Sequence, residues 1–380
     1  MIVMKKILIA AIGLIVVSLL CICCQQKQEE TAEIPTLYCV KLHGAWGYMN
    51  PQGDTVIPLR FASATPFAKN GLAMVQEEEK GPYGFINTQG KFVIKPQYSQ
   101  AYPFSDEGVA IVVKEGGVPT LINSSGKKVR VMKDVYKIEP FFEGLAAFSI
   151  RKKRDNYFEV WWGYLNTQGE VVIEPQFRGA YPFSEGLANV LIEGGEAYIN
   201  TAGEKVFELK PEEEEGERMA GSNFHDGMAR VFLRQQELYG FLNRKGEIAV
   251  PTKFQYVGFF NEGLAAAVED NLFGYIDKEG NYVIPPRFTG AGMFVDGLAL
   301  VRNENDRWGF IDREGNWVIP AYYEAGTDFY NGVAAVQKFR GWGLINREGE
   351  YQVQPDFFKI QFEWEYEDDD FLINESMIRR

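Results

Sequence analysis

The sequence predicts an all-β chain: a tandem array of about nine three-stranded antiparallel units, built as an open solenoid or superhelix or as a β-propeller-like ring. Three observations predict it. An Asn or Asp followed three residues later by Gly recurs nine times, at Asn50/Gly53, Asn87/Gly90, Asn123/Gly126, Asn166/Gly169, Asn200/Gly203, Asn243/Gly246, Asp277/Gly280, Asp312/Gly315 and Asn346/Gly349. The intervals are 37, 36, 43, 34, 43, 34, 35 and 34 residues, one supersecondary period with two insertions. Composition agrees, because 28 Phe, 19 Tyr, 7 Trp and 39 Gly suit short strands joined by tight turns.

Within a unit each position has a physical reason. Trp162-Gly-Tyr-Leu-Asn166 and Val171-Val-Ile173 are short β-formers around a four-residue turn, which reads as a hairpin. The turn Asn can bond the backbone two residues on, and the fourth-position Gly can take the positive φ that closes the hairpin. Pro175 is expected to end the second strand, since it offers no N–H to a ladder. Gly186-Leu-Ala188 opens a third strand whose small and branched residues face a core. Gly71, Gly108, Gly144, Gly227, Gly263, Gly297 and Gly332 stand in the same place as Gly186.

The order repeats from Trp46 to Ala73, Tyr83 to Ala110 and Trp308 to Ala334. With the Trp-Gly pairs at 46/47, 162/163, 308/309 and 342/343, it resembles the WG-repeat family of bacterial tandem β repeats, over residues 37–355. The resemblance implies a repeat fold and no particular chemistry. Tyr83, Tyr239 and Phe273 replace the Trp while keeping a ring beside Gly. The third and fifth copies depart most, with Pro119-Thr120 and Ala197-Tyr198 in that place.

Cutting the repeat after its second strand gives nine complete meanders, from Leu37–Lys41 through Glu350–Gln354, with no strand left over at either end. Closed propellers typically have four to eight four-stranded blades, so the expectation leans toward an open or partly curved array. Residues 356–380 are expected to cap the last unit with Phe357, Phe358, Phe362 and Trp364 and then to run into an acidic tail.

Residues 1–24 read as an export signal. Lys5 and Lys6 precede the apolar run Ile7 to Leu20, too short for a membrane span, and Cys21, Cys23 and Cys24 end it. The layout resembles a bacterial lipoprotein signal, with Cys24 or Cys23 as the lipidated residue. Residues 25–36 then form a polar tether, and the expected location is the bacterial cell envelope, lipid-anchored at the periplasmic or surface face of an outer membrane. Cys39, left alone in the folded part, reads as a small core residue.

The net charge is −13, and −15 without the first 24 residues, a field that repels nucleic acid and anionic lipid. No constellation reaches the level of an active site. His43 and His225 both fall within the repeat framework, and too few His and Cys remain for a tetrahedral metal centre, so no metal or cofactor is expected. Trp46, Trp162, Trp308 and Trp342 read as structural residues of the inter-unit core. Ligand contacts are expected where the array departs from itself. That points to the basic loop Arg151, Lys152, Lys153 and Arg154 and, second, to Glu212–Gly216. The expected function is a non-enzymatic, envelope-anchored scaffold binding protein or polysaccharide. The alternative is an envelope hydrolase of glycosidase type using unidentified carboxylates.

Overall fold

The computed structural model describes residues 35–209, 219–339, 341–357 and 359–361, and every strand lies in the compact unit that begins at Thr36. Cys23, Cys24, Glu212–Gly216 and most of the expected tail lie outside the described residues.

The described residues form strands and no helix, gathered into nine four-stranded antiparallel sheets. Eight are continuous stretches: 63–98, 100–131, 137–177, 179–209, 219–254, 256–288, 290–323 and 325–357, here blades 2 to 9. Blade 1 joins 38–61 to Lys359–Gln361, a strand from the far end of the chain. Each unit therefore has four strands, not the three expected. In blades 2, 3, 5, 7 and 9 the added first strand is two residues long, as at Ser63–Ala64, which pairs with Gln76 and Val75. Two extended residues carry no alternation for a sequence pattern to reveal.

The ring closes, which corrects the lean toward an open array. Lys359, Ile360 and Gln361 pair with Lys41, Val40 and Cys39, so the C-terminal segment is a closing strand as well as an end. A second set of contacts runs round all nine junctions. Each turn Gly sits with its Cα against the outer strand of the preceding blade: Gly90 on Ile57, Gly126 on Ile94, Gly203 on Ile173, Gly349 on Ile319, and Gly53 of blade 1 on Val353 of blade 9. A Cβ on Gly53 would lie 3.0 Å from Val353 Cγ2. The turn Gly thus meets two demands, a φ of +73° to +88° in all nine copies and close approach by the neighbouring blade. The chain is a closed nine-bladed β-propeller.

The turns form as their residues dictate. Asn50 Oδ1 accepts the N–H groups of Gln52 and Asp54 at 3.1 and 2.8 Å, while Gly53 N–H donates to the Asn50 carbonyl at 3.0 Å. That last bond recurs in every copy.

Aromatic pairs join the blades. Tyr48–Phe67, Phe85–Phe104, Tyr164–Phe183, Tyr198–Phe224, Phe241–Phe260, Tyr275–Phe294 and Phe310–Phe329 each cross one junction, with centroids 4.5–5.3 Å apart. Where the first partner is Tyr, its hydroxyl donates to a carbonyl in, or one residue past, the first strand of the next blade. Tyr48 reaches the Thr65 carbonyl at 2.7 Å, and Tyr164, Tyr198 and Tyr275 make the equivalent bond.

Acidic residues form a third tie, on the face where first strands turn into second. Glu143, Glu185, Asp226 and Glu262 hold the left-handed φ of 50–53° before their turn Gly. Each carboxylate accepts the N–H of the turn Gly in the next blade, at 2.5–3.0 Å. A bond from a charged acceptor offsets part of the strain of a left-handed Glu or Asp.

The proline expected to end the second hairpin strand lies inside it. Pro58, Pro175, Pro251 and Pro320 sit within seven-residue outer strands such as Thr55–Phe61. The strand continues because it is the rim edge of its blade, where no ladder N–H is needed. Val56, Val93, Val171, Val172, Ile248, Val283 and Val318 are exposed on these same strands.

The Trp-Gly glycine has its own cause, unrelated to φ. At Trp46/Gly47 the outer strand shifts register, so that Trp46 pairs with Phe61 but Tyr48 with Ile57. The bulged strand lies directly over Gly47, where a Cβ would fall 2.6 Å from the Ile57 carbonyl oxygen. Blades 2, 4, 6, 7, 8 and 9 repeat this at Gly84, Gly163, Gly240, Gly274, Gly309 and Gly343. Blades 3 and 5 carry Thr120 and Ala197 there, and at that position their outer strands pair in register, Thr120 with Val131 and Ala197 with Glu208, keeping only the shift next to the turn.

Candidate functional site

Blade 4 breaks the ninefold pattern by length. Its middle strands, Leu145–Lys153 and Phe158–Asn166, have nine residues each, against five and four for Leu298–Arg302 and Trp308–Ile311 in blade 8. The extra pairs are Ile150–Trp161, Arg151–Val160, Lys152–Glu159 and Lys153–Phe158, closed where Arg154 N–H donates to the Tyr157 carbonyl at 2.9 Å. Arg151, Lys152 and Lys153 are therefore strand residues, and only Arg154 lies in the turn, a correction to the expected basic loop.

Strand alternation also divides the basic run between two faces. On one face the Arg151 guanidinium lies 3.5 Å from the Tyr136 ring centroid and 6.0 Å from that of Phe158. On the other, the Arg178 guanidinium and the Lys152 ammonium lie 4.0 and 5.2 Å from the Trp161 ring. Glu159 holds this second group together. It accepts from Arg154 Nε at 2.9 Å and from the Trp161 indole at 3.1 Å, with Arg178 at 3.7 Å. The Arg154 hydrogen bond, aided by Trp161 and Arg178, keeps the Glu159 carboxyl below its ordinary range.

The outcome is a hairpin with rings open to solvent and cations fixed beside them. Tyr157, Phe158 and Tyr136 are 61, 59 and 49 % exposed. Large exposed rings with neighbouring cations suit stacking against planar or cationic groups and hydrogen bonding to acids. Tyr136, Trp161 and Arg178 were not singled out in the sequence. The doubled Trp161-Trp162 was their one visible signal, since Tyr136 and Arg178 reach the hairpin from the links before and after blade 4.

The repeat aromatics lie elsewhere. Trp46 is 9 % exposed and packs with Tyr48, Ile57, Phe61 and Ala64, while Trp162, Trp308 and Trp342 are half-buried against the cores of their own junctions. Cys39 is fully buried. His43 is an exposed turn residue with a φ of 51°, and His225 stacks on Phe259 at 4.1 Å. Among the described residues no group of three or more His, Cys, Asp or Glu is placed to hold a metal ion.

The family assignment follows from the repeat. The WG containing repeat matches residues 46–80, 83–117, 162–195, 239–273, 273–306 and 308–338. The chain belongs to the WG-repeat family. The two long unmatched internal stretches of this WG-repeat chain, 118–161 and 196–238, hold the third strands of blades 3 and 5, where the Trp-Gly glycine is missing, and most of the blade 4 hairpin. No curated protein matches it in sequence. A crystal structure of a eukaryotic initiation factor is similar in fold, with a TM-score of 0.57 at 10 % identity over 86 % of this chain and 98 % of that one. BamB from Moraxella catarrhalis (TM-score 0.35, 12 % identity, 73 % and 93 % covered) and a streptogramin B lyase (0.33, 12 %, 70 % and 94 %) are more distant.

Two carboxyls are buried at blade junctions of this WG-repeat propeller. Burial pushes Glu196 up, partly offset by bonds from Asn189 Nδ2 at 2.7 Å and Gly221 N–H at 2.9 Å. Burial pushes Asp328 from its ordinary 3.8 to about 6, only partly offset by the Met293 N–H, and its Oδ1 has no partner. A folded pKa above the unfolded one makes the protonated form the better fit, so Asp328 costs stability increasingly as pH rises from about 4 to about 6. Asp328→Asn is therefore expected to raise stability at pH 7 by up to about 3 kcal/mol and to flatten that part of the profile. Guanidinium midpoints of both proteins at pH 4 and pH 7 check this; an Asn variant less stable at pH 7 contradicts it.

Proposed function

We propose that this WG-repeat propeller is a non-enzymatic binding module of the bacterial envelope that takes a protein or polysaccharide ligand on the blade 4 hairpin. The observation that carries the reading is the hairpin's departure from an otherwise regular ring. Blade 4 extends two strands past its neighbours and displays Tyr136, Tyr157 and Phe158 to solvent, with Arg151 held between two of the rings. Exposing large rings has no folding benefit, and such patches mark interaction sites. Repeat propellers commonly serve as scaffolds, which agrees with a site built on a rigid ring.

Affinity capture from envelope extracts, together with a glycan array, tests the reading. Wild-type protein is expected to retain a ligand that the Tyr136→Ala/Arg151→Ala/Phe158→Ala variant loses at least tenfold in affinity, with both proteins equally stable. Retention by both would move the site elsewhere. No ligand in either assay, combined with turnover of a glycan, would favour the hydrolase instead.

The anchor is part of the same proposal: a lipid on Cys24 or Cys23 tethers the ring through residues 25–36. Radioactive palmitate is expected to label wild type and to be lost on Cys24→Ala or on Cys23→Ala. An unlabelled wild type removes the lipoprotein reading.

A further inference from the structure

The rim of a propeller is a set of sheet edges, and an open edge can template another strand. Seven of the nine outer strands are protected twice. Each contains a proline (Pro58, Pro96, Pro175, Pro251, Pro285, Pro320 or Pro355), and each bends through the register shift over its Trp-Gly glycine. The outer strand of blade 3, Lys128–Val131, has no proline and lacks the shift at the Trp-Gly position, pairing in register at Thr120–Val131 and Leu121–Arg130. Its one register shift falls next to the turn, between Leu121 and Ile122, and leaves Val129 as the extra residue. All four of its residues are exposed. The Met132 N–H donates to the Pro119 carbonyl at 2.9 Å. By antiparallel alternation Arg130 then turns its backbone groups inward and Val131 turns its own away from the sheet, beyond the bulge at Val129. The Val129 and Val131 side chains are also open, each 40 % exposed.

Charge decides what this edge can accept. Lys127, Lys128, Arg130 and Lys133 are exposed and make no ion pair among the described residues. Residues 127–178 hold ten basic and seven acidic residues in a chain of net charge −13. Blade 5 has the other outer strand without the Trp-Gly shift, Lys205–Leu209, but Glu208 stands on it and Glu204 just before it. We infer that the blade 3 rim binds an extended, acidic polypeptide segment, which adds to the sheet as a fifth strand beside Val131. Main-chain hydrogen bonds would supply the pairing, and the four cations the selection for acidic side chains. The inference rests on reading the chain as a binding module, but it uses a surface separate from the rings of the blade 4 hairpin.

The test is fluorescence anisotropy of the full chain with a labelled peptide of about ten residues alternating Glu and Val, a length sufficient for one strand. Saturable binding is expected, at least tenfold weaker for the Lys-Val analogue and at least tenfold weaker in Val131→Pro. That variant removes an N–H that faces solvent, and proline already occurs in the outer strands of seven other blades. Lys128→Glu gives a second variant with no backbone change, again with a tenfold loss expected. The Tyr136→Ala/Arg151→Ala/Phe158→Ala hairpin variant should bind the peptide as wild type does. Hydrogen exchange should show new protection at Val131. No binding, equal binding of the Lys-Val peptide, full binding by Val131→Pro, or loss only in the hairpin variant would each overturn the inference. All but the last leave the hairpin reading intact, and the last favours it.

Discussion

Removal of residues 356–380 is expected to open the ring and to cost on the order of 3–5 kcal/mol of stability, among the largest effects a local change can have here. Lys359–Gln361 covers the inner edge of the strand Tyr38–Leu42, whose Cys39 and Val40 are fully buried. Without it, blade 1 keeps three strands and presents unpaired backbone groups beside the apolar cluster of Tyr38, Val40, Met49, Val333, Ala335, Leu344 and Val353. Unpaired buried edges are costly and invite pairing between molecules. Guanidinium unfolding and light scattering would register the change as a lowered midpoint and concentration-dependent association. Gln361→Pro, which removes from the closing ladder the donor opposite Cys39, should move both readouts the same way by less. An unchanged midpoint after truncation would mean that the last strand does not close the ring.

The second large effect is expected at the Trp-Gly glycine. A Cβ on Gly309 would lie 2.5 Å from the Ile319 carbonyl oxygen and 2.7 Å from the Ala321 nitrogen, both backbone atoms that cannot swing aside. Gly309→Ala should therefore destabilise by about 3 kcal/mol, the upper end of overpacking costs. Blade 5 supplies the control, because Ala197 already occupies the same place over an outer strand that pairs in register there. Ala197→Gly should cost only about 1 kcal/mol, the ordinary penalty for Gly in a strand. Equal losses in the two variants, measured as shifts in denaturation midpoint, would show that the bulge does not select the glycine.

Much of this fold is legible in residue order. The Asn-x-x-Gly turns, the Gly-Leu-Ala strand and the count of nine units depend on contacts a few residues long, and those leave a local pattern. Closure was not legible, because it depends on Lys359–Gln361 meeting residues more than 300 positions earlier in the chain. The first strand escaped for a different reason, being only Ser63–Ala64 or its equivalent. Pro175 reads as a terminator from sequence alone because an outer edge and a strand end relax the same demand for an N–H. The site shows the same division. The basic run at 151–154 and its insertion are visible in the sequence, whereas its partners Tyr136 and Arg178 come from connections between blades that no linear motif links. The third copy is visibly irregular in sequence, and its missing glycine and proline are what leave the blade 3 edge without the Trp-Gly shift and without a proline.

The central claim is closure of nine blades, and a single distance tests it. Spin labels at Gln52 and Glu348 occupy equivalent turn positions in blades 1 and 9, as labels at Gln52 and Gln89 do in blades 1 and 2. Both pairs straddle one junction in a closed ring, so pulsed dipolar spectroscopy should return the same distance for each within the spread of the label arms. In an open array of sheets packed about 10 Å apart, the first pair would be separated by roughly 80 Å. A 52–348 distance several times the 52–89 distance would contradict the ring.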